Sequence, residues 1–285
     1  MISTAEKKVT AIILVCVLLI SGFIIWTVWG NKALELNRFT LESGRLPKEF
    51  DGFRIAHISD FHNTEIGGKN EKLLSVLKEA EPDVIAITGD MIDSRRTNTE
   101  IALDFAREIV KIAPCYYVTG NHEYRASESY NLKEALSELG IIVLEDEKTE
   151  LEHSGEKIRL IGVDDPSFSD DNYAEAVMHR NLDILTDNDD TYTLLLSHRP
   201  ELFPVYCEYN VDLVLSGHAH GGQFRLPFLG GVIAPDQGLF PEFDSGIYTE
   251  GKTNMIVGRG IGNSIIPLRF NNRPEVIVVE LNTVV

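Results

Sequence analysis

Cysteine and basic residues are both scarce in this 285-residue sequence. The three cysteines, Cys16, Cys115 and Cys207, are odd in number and far apart, so they predict neither a disulfide framework nor a CxxC metal site. Lys and Arg total 26 against 44 Asp and Glu, which gives a formal net charge of −18. A nucleic-acid-binding surface needs a basic stripe to neutralise phosphates, so this balance argues against one. The excess acids are either solvated surface groups or metal ligands, whose charge bound cations would offset.

One stretch near the N-terminus lacks charge altogether. Residues 9–29 contain no Asp, Glu, Lys or Arg and are rich in Ile, Leu and Val. Their number matches the ~20 residues that a helix needs to cross the hydrocarbon core of a membrane. Trp26 and Trp29 stand at one end of the stretch, as interfacial anchors do. A cleaved signal peptide is the alternative, but the run is long and no A-x-A-like site follows it. We therefore expect an uncleaved, single-pass transmembrane helix.

The charges that flank this segment indicate its orientation. Lys7 and Lys8 precede it, and the positive-inside rule then places the N-terminus in the cytoplasm. Lys32 and Arg38 follow it and weaken the asymmetry. The prediction is a cell-membrane protein whose globular part is extracytoplasmic. We expect three regions: an N-terminal stub and anchor at 1–30, a polar connector at 31–52, and one globular domain at 53–285.

Short apolar runs alternate with amphipathic segments in the first half of the globular part. The run Val84–Ile87 is typical of a buried parallel strand, and residues 70–80 place leucines at helical spacing before Pro82. This alternation implies right-handed crossovers onto a parallel sheet. The second half is richer in strands. We therefore predict an α/β fold, a four-layer α/β/β/α sandwich of two packed mixed sheets flanked by helices.

Side chains that can hold metals follow five of the predicted strands. In open α/β sheets, ligand sites form at the carboxyl ends of the strands. Taken singly, each residue has an ordinary explanation, since Asp and Asn are common in turns. Together they offer oxygen and imidazole donors without thiolates, a set that suits Mn, Fe or Zn. Their number favours two metals that share a carboxylate, which can bridge. The residues are Asp60, His62, Asp90, Asn121, His122, His198, His218 and His220.

The order and spacing of these motifs resemble those of the calcineurin-like metallophosphoesterases. The N-terminal anchor and the Gly217–Gln223 sequence make the chain similar to the membrane-linked bacterial branch of that superfamily, which includes enzymes resembling UDP-2,3-diacylglucosamine hydrolases. The resemblance implies a phosphoesterase with two divalent or trivalent metal ions, with Mn expected and Fe or Zn as alternatives. The motifs that carry it are Asp60-x-His62, Gly89-Asp90, Gly120-Asn121-His122-Glu123, His198 and Gly217-His218-x-His220.

Residue by residue, the resemblance implies two ligand sets. Two cations ~3.5–4 Å apart can hold a hydroxide between them and clamp phosphoryl oxygens for in-line attack. By the same resemblance, His122 protonates the leaving-group oxygen or stabilises the transition state. Asp93 is its expected partner, although Asp93 could instead be an acid at a helix N-terminus. One metal takes Asp60, His62, Asp90 and His220, and the other takes Asp90, Asn121, His198 and His218, with Asp90 bridging.

The implied substrate is a phosphate ester, either a small molecule or a lipid near the membrane. A phosphodiester, a phosphomonoester and a lipid-linked pyrophosphate all remain open. A guanidinium suits phosphate contact, which makes Arg95, Arg96, Arg199 and Arg259 candidates. One alternative function is a catalytically silent scaffold on the same fold, which would be expected to have lost metal ligands. Another is a metal-binding regulatory or storage protein, which would not require His122 and Asp93.

Overall fold

In the computed structural model, which describes residues 4–169, 173–187, 189–263 and 266–284, strands and helices alternate as the apolar pattern predicts. The helices are α1 (Thr4–Gly30), α2 (Glu71–Ala80), α3 (Thr99–Ile109), α4 (Asn121–Arg125), α5 (Ser129–Glu138), α6 (Ala174–Leu185) and α7 (Phe203–Cys207). The strands are β1 (Glu35–Ser43), β2 (Phe53–Ile58), β3 (Val84–Thr88), β4 (Cys115–Val118), β5 (Ile142–Val143), β6 (Glu147–His153), β7 (Glu156–Gly162), β8 (Thr193–Leu196), β9 (Leu213–Ser216), β10 (Arg225–Leu226), β11 (Gly230–Gly231), β12 (Ile233–Ala234), β13 (Gly238–Leu239), β14 (Gly246–Glu250), β15 (Thr253–Val257) and β16 (Glu275–Thr283).

The longer strands form two six-stranded mixed sheets. In the first sheet the order is β1-β16-β2-β3-β4-β5, with β16 antiparallel to β2 and all other neighbours parallel. In the second sheet the order is β14-β15-β9-β8-β7-β6, with antiparallel pairs at both edges and parallel pairs between them. Two short hairpins, β10–β11 and β12–β13, follow β9 in the chain. The predicted pair of mixed sheets is confirmed.

The two sheets pack face to face with helices outside them. Successive side chains of a strand point to opposite faces of its sheet. On β3, Val84 and Ala86 belong to the core between the sheets, whereas Ile85 and Ile87 belong to the core that packs against α2 and α3. A third apolar cluster, which includes Leu182 of α6, covers the outer face of the second sheet. The predicted four layers are therefore present.

The structure differs from the prediction at residues 31–52, the expected connector. Strand β1 lies within this range and pairs with β16 along its whole length, from Glu35 opposite Glu275 to Ser43 opposite Thr283. It is an edge strand, and most of its side chains are partly or fully exposed. Charged residues are tolerated at such an edge and obscure the strand pattern. The first sheet thus begins before residue 53, the predicted start of the globular domain.

Helix α1 is long and apolar enough to cross a membrane, by length and composition. Its C-terminal part is fixed to the globular domain, because the ring of Phe23 stacks on that of Phe270 with centroids 5.2 Å apart. The Asn31 side chain also donates to the carbonyl oxygen of Arg269 at 2.7 Å and accepts from its backbone N–H at 2.8 Å. Residues 1–3 of the predicted stub lie outside the described residues. The helix therefore joins the domain at the segment that contains residues 269 and 270.

Candidate metal centre

The predicted metal-binding residues lie directly after five strands, in loops or, for Asn121, at the first residue of α4. Three of these strands, β2, β3 and β4, belong to the first sheet, and β8 and β9 belong to the second. The loops meet, since Nε2 of His62 lies 3.2 Å from Nε2 of His220, a residue that follows β9. The centre therefore straddles the ends of both sheets. All eight side chains predicted at the strand ends are buried: Asp60, His62, Asp90, Asn121, His122, His198, His218 and His220.

Five of these residues have left-handed backbone conformations. Such values are uncommon outside glycine, although Asp, Asn and His tolerate them better than most residues. Each costs about 1–3 kcal/mol unless its surroundings enforce it, and such strain collects at functional sites. These five backbone conformations therefore support a functional site at the strand ends. The values of φ are 49° at Asp60, 47° at His62, 55° at Asp90, 65° at His218 and 47° at His220.

Two glycines let the loops after β3 and β4 approach each other. A Cβ atom at Gly120 would lie 2.3 Å from Oδ1 of Asp90, and one at Gly89 would lie 2.7 Å from Nδ1 of His198. Gly89 also has φ of +85°, which favours glycine. Both motif glycines are thus required by close contact around Asp90.

Glu123 joins the same two loops. Its Oε2 accepts hydrogen bonds from the backbone N–H groups of Asp90 and Gly120, each at 2.8 Å. Its Oε1 accepts one from Ile92 at 3.1 Å. Burial, followed by the charge of Asp90, raises the pKa of Glu123 to about 8. The sequence places Glu123 at the end of a site motif, but its contacts with the loop after β3 become visible only in the fold.

One group of four side chains matches the first predicted ligand set. Asp60, His62, Asp90 and His220 each offer one ligand atom, and these atoms lie within 4.8 Å of one another. Oδ1 of Asp60 is 3.4 Å from Nε2 of His220, and Oδ2 of Asp90 is 3.5 Å from Nε2 of His62. Two ring nitrogens at 3.2 Å, as in His62 and His220, cannot both carry protons, so at least one lone pair faces the group. A cation fits this arrangement.

A second group adjoins the first and contains the other predicted ligands. Nε2 of His198 lies 3.3 Å from Oδ2 of Asp90, 3.0 Å from Nδ1 of His218 and 3.3 Å from Oδ1 of Asn121. Nδ1 of His198 is 2.8 Å from the carbonyl oxygen of Thr88, which can only accept a hydrogen bond. Nδ1 therefore carries the proton, and Nε2 in the neutral ring presents its lone pair to the group.

Electrostatics favour a bound cation at the first group. Burial would raise the pKa of Asp90, but the charge and hydrogen bond of His198 hold it well below its usual value. Burial likewise opposes ionisation of Asp60, yet nearby histidines, His220 first, lower its pKa. Burial lowers the pKa of His220 to about 3. Ionised carboxylates and unprotonated imidazoles are the forms that ligate metals. At the second group burial opposes protonation of His198, but the charge of Asp90 raises its pKa to about 10, so a cation there would displace a proton from Nε2.

His122 is near the centre but is held differently from the ligands. The backbone N–H of Ser94 donates to its Nδ1 at 3.0 Å, so in the neutral ring the proton is on Nε2. Oγ of Ser94 lies 3.1 Å from the same nitrogen. The expected partner, Asp93, has its Oδ1 4.0 Å away and accepts the backbone N–H of Arg95 at 2.8 Å. Ser94 thus provides the hydrogen bond that was predicted for Asp93, and burial lowers the pKa of His122 to about 4.

A carboxylate that the sequence did not indicate contacts His218 from the outside. Oδ2 of Asp236 is 2.8 Å from Nε2 of His218. The same oxygen accepts from Arg199, whose guanidinium also pairs with Asp165 at 2.5 and 2.9 Å. An acceptor at Nε2 leaves the lone pair of His218 on Nδ1, the atom that faces His198. Asp236 lies in no motif, and the fold alone brings it to the centre.

A cavity of about 370 Å³ lies over the centre. Its polar wall includes Asp90, Asn121, His122, Arg125, His218, His220, Gln223 and Asp236, and its apolar wall includes Ile233, Ala234, Pro235 and Ile266. The cavity therefore has room for a phosphate group beside the ligands and for an apolar substituent opposite them.

The four arginines considered as phosphate contacts differ in their partners and positions. Arg199 is committed to Asp165, and Arg259 pairs with Glu35 and Glu275. Arg95 and Arg96 line a neighbouring cavity of about 320 Å³ together with His62 and Asp93. Arg125, which no sequence motif indicates, lines the cavity over the centre.

Comparison with known proteins places the chain in a family. The profile of the calcineurin-like phosphoesterase family matches residues 53–222, a range that contains all eight of the buried side chains predicted at the strand ends. An uncharacterized metallophosphoesterase of Bacillus subtilis (strain 168), YkuE, is 31% identical over 255 residues, which are 88% of this chain and 86% of that protein. Phosphodiesterase YaeI of Escherichia coli (strain K12) is 27% identical, covering 80% of this chain and 82% of its own. A transmembrane protein with a metallophosphoesterase domain from Danio rerio is 27% identical, covering 95% of this chain and 62% of its own.

Proposed function

Because this chain belongs to the calcineurin-like phosphoesterase family and is a metal-dependent phosphoesterase, we propose that it hydrolyses a phosphate ester at a two-metal centre. The position of Asp90 carries this proposal. Its Oδ2 lies 3.5 Å from Nε2 of His62 and 3.3 Å from Nε2 of His198, so one carboxylate can serve two cations. One cation is assigned to Asp60, His62, Asp90 and His220, and the other to Asp90, Asn121, His198 and His218.

The protein's own residues orient the reaction around this centre. When bound, the cations supply Lewis-acid activation of a water and of the phosphoryl oxygens, and Mn is the cation we infer. His122 donates from Nε2–H to the leaving-group oxygen, because the Ser94 N–H occupies Nδ1. A neutral imidazole of this kind stabilises developing charge by a hydrogen bond. Asp93, at 4.0 Å, adds a favourable charge beside the ring.

The walls of the cavity support a phosphate ester that carries an organic substituent as the substrate. Ionised ligands on one side and apolar residues such as Ile233 and Ile266 on the other suit an ester with an organic substituent. The Escherichia coli relative is named a phosphodiesterase, which supports a phosphodiester over a monoester or a lipid-linked pyrophosphate. The predicted likeness to UDP-2,3-diacylglucosamine hydrolases stays a prediction.

The same proposal includes anchoring in the cell membrane. Helix α1 can span a bilayer once, and the Danio rerio relative is named a transmembrane protein. Lys7 and Lys8 favour a cytoplasmic N-terminus and an extracytoplasmic catalytic domain. Protease treatment of intact cells tests this topology: the catalytic domain should be digested, and full protection would reverse the orientation.

A metal-dependent hydrolysis assay tests the catalytic proposal. The purified full chain in detergent should hydrolyse bis(4-nitrophenyl) phosphate or 4-nitrophenyl phosphate with added Mn, and a chelator should abolish the activity. A folded protein with two bound metals that hydrolyses neither these nor other phosphate esters would instead support the catalytically silent alternative.

Two variants separate metal binding from turnover. His122→Ala should keep both metals and lose turnover by ~10²–10⁴-fold. His198→Ala should lower the metal content itself, because its Nε2 faces Asp90. His179→Ala is the matched control, because His179 lies on α6 and its ring bonds to the hydroxyl group of Tyr209. Two metals retained in His198→Ala would contradict its place as a ligand, and metal loss in His122→Ala would contradict the role given to His122.

A further inference from the structure

Large apolar side chains are exposed on the two short hairpins that follow β9. The β10–β11 hairpin presents Phe228, which is fully exposed, and Leu229, which is 64% exposed. The β12–β13 hairpin ends in Leu239 and Phe240, which are 68% and 59% exposed. We call residues 226–240 the apolar hairpins. Exposed apolar side chains concentrated in so short a segment mark an interaction surface.

The apolar hairpins also avoid charge. The chain has a formal net charge of −18, yet residues 226–240 contain a single charged residue, Asp236. That carboxylate bonds to His218 and Arg199. The tips at 228–229 and 239–240 therefore carry no charge that would oppose transfer out of water. Such a surface suits the boundary between the head groups and the acyl chains of a lipid bilayer, where apolar side chains are removed from water.

The exposed rings are held outward by a fixed backbone. Phe228 and Phe240 have φ of 69° and 55°, values that bulky residues adopt at a cost. The Phe240 N–H donates to the carbonyl oxygen of Val232 at 2.8 Å, and the Val232 N–H bonds to the carbonyl oxygens of Gly222 and Phe224. The hairpins thus hold two strained residues with their aromatic rings exposed, although burial of the rings would lower the free energy in water.

A direct chain of contacts joins the hairpins to helix α1. Phe224, next to β10, forms a β-bridge with Phe270, and the Arg225 N–H donates to the Phe270 carbonyl oxygen at 2.9 Å. Phe270 in turn stacks on Phe23, which belongs to the charge-free part of α1. The segment that carries the hairpins is therefore adjacent to the membrane-spanning helix. A bilayer that surrounds α1 reaches Phe23 and therefore also the segment that carries the hairpins.

The hairpins also form part of the cavity over the metal centre. Ile233 and Ala234 of β12 line it from one side, and Ile266 lines it from another. The Gln223 side chain, which also lines the cavity, holds the segment of Ile266, because it donates to the carbonyl oxygens of Ile266 and Leu268 at 2.9 and 2.6 Å. Leu268 is itself partly exposed. A bilayer that covered the hairpin tips would lie at the apolar side of the cavity.

We propose that the apolar hairpins enter the head-group region of the bilayer that α1 spans, so that the cavity opens toward that lipid surface. The inference rests on the proposed membrane anchoring and deepens the proposed phosphoesterase function. The hairpins then attach the domain to the bilayer at a second point, in addition to α1. Phosphate esters at the lipid surface then reach the metal centre without leaving the bilayer.

Fluorescence quenching in nanodiscs tests the proposal. The sequence has only two tryptophans, so Trp26→Phe with Trp29→Phe gives a background without tryptophan in the full chain. Phe228→Trp then reports from a hairpin tip. Ile184→Trp is the matched control, since Ile184 is 72% exposed on α6. Phosphatidylcholine brominated on its acyl chains quenches tryptophans that enter the bilayer.

The expected result is a loss of at least about half of the Phe228→Trp emission in brominated relative to ordinary phosphatidylcholine, with the Ile184→Trp emission unchanged, because only the hairpin tip enters the interfacial layer. Equal emission from Phe228→Trp in both lipids overturns the proposal. The native tryptophans of α1, examined in the unsubstituted chain, show separately whether the anchor is inserted. Hydrolysis of bis(4-nitrophenyl) phosphate by the same samples separates failure of the proposed catalytic function from failure of this surface.

A charge at the tip provides a second measurement. Leu229→Trp should be quenched like Phe228→Trp, and adding Phe228→Asp should reduce that quenching at least about twofold, because a carboxylate resists entry into the bilayer. Adding Ile184→Asp instead should leave the quenching unchanged. Hydrolysis of the water-soluble ester should be the same in all three proteins, since neither site touches the metal centre. If Phe228→Asp leaves the quenching of Leu229→Trp unchanged, the tip is not inserted.

Discussion

Replacing Glu123 by glutamine should loosen the metal centre even though the two side chains have nearly the same shape. Glu123 accepts three backbone hydrogen bonds, from Asp90 and Gly120 at Oε2 and from Ile92 at Oε1. Both oxygens of a carboxyl group accept hydrogen bonds, whether or not the group is ionised. The amide nitrogen of glutamine accepts none. One or two backbone N–H groups in this buried position must therefore lose their partner.

The size of the effect follows from that loss. Leaving a buried donor unpaired costs about 1–3 kcal/mol. Removing the charge of Glu123 offsets part of this, because burial and Asp90 raise its pKa to about 8 and the ionised form is already disfavoured at neutral pH. The offset does not restore the missing acceptor, so a net loss of about 2 kcal/mol is expected. For a chain of this size that lowers the Tm by roughly 4–8 °C.

Thermal unfolding and metal titration together measure the outcome. The apo protein should unfold at lower temperature, and Mn affinity should fall about 10–100-fold, as for other groups that hold metal ligands in place. Glu138→Gln, which alters an exposed residue near the end of α5, is the matched control. A Glu123→Gln protein that matches the wild type in both Tm and Mn affinity would refute the argument that this carboxylate holds the two loops together.

Two further changes test the electrostatics around the centre. Asp164 accepts a hydrogen bond from Oγ1 of Thr119, which precedes the Gly120-Asn121 motif, at 2.6 Å. Burial raises its pKa to about 6 from 3.8, so its favourable contribution to folding stability is present below pH 4 and is lost as pH rises through 6. Asp164→Asn should therefore raise Tm at pH 8 but not at pH 4, and an equal shift at both values would contradict the assigned pKa. Asp236→Asn should weaken the Mn site that contains His218 by about 10–100-fold, because the acceptor that fixes the ring proton on Nε2 is altered. Calorimetric titration that finds both Mn sites unchanged would remove Asp236 from the centre.

The sequence predicts site residues well where polar side chains directly follow buried strands. Apolar runs such as Val84–Ile87 identify strands on their own, and a polar residue directly after such a run has few structural reasons to be there. This logic located Asp60, Asp90 and His198 without any knowledge of how the sheets pack. The prediction of two packed sheets came from the alternation of strands and helices in the first half of the globular part and from the larger number of strands in the second.

Other features depend on tertiary contacts that no local pattern encodes. Strand β1 lies at a sheet edge, and its charged and polar residues are mixed with apolar ones without a regular alternation, so that it resembles a polar connector. Asp236 reaches His218 from a hairpin that has no motif of its own. The hydrogen bond from Ser94 to His122 arises from the path of the loop after β3, whereas the residue type at position 93 suggested a carboxylate partner.

The hydrogen bonds around the ligands explain why the two sheets act as one domain at this edge. Asp60 follows a strand of the first sheet, yet both of its oxygens accept the backbone N–H of His218, which follows a strand of the second, at 3.1 Å. In the opposite direction, His198 of the second sheet donates to the carbonyl oxygen of Thr88 in the first. Each sheet thus fixes ligands that belong to the other. Because the left-handed loops are held by these cross-sheet bonds, their strain is maintained by the packing of the sheets, and a mutation that shifts one sheet against the other should damage metal binding before it unfolds either sheet.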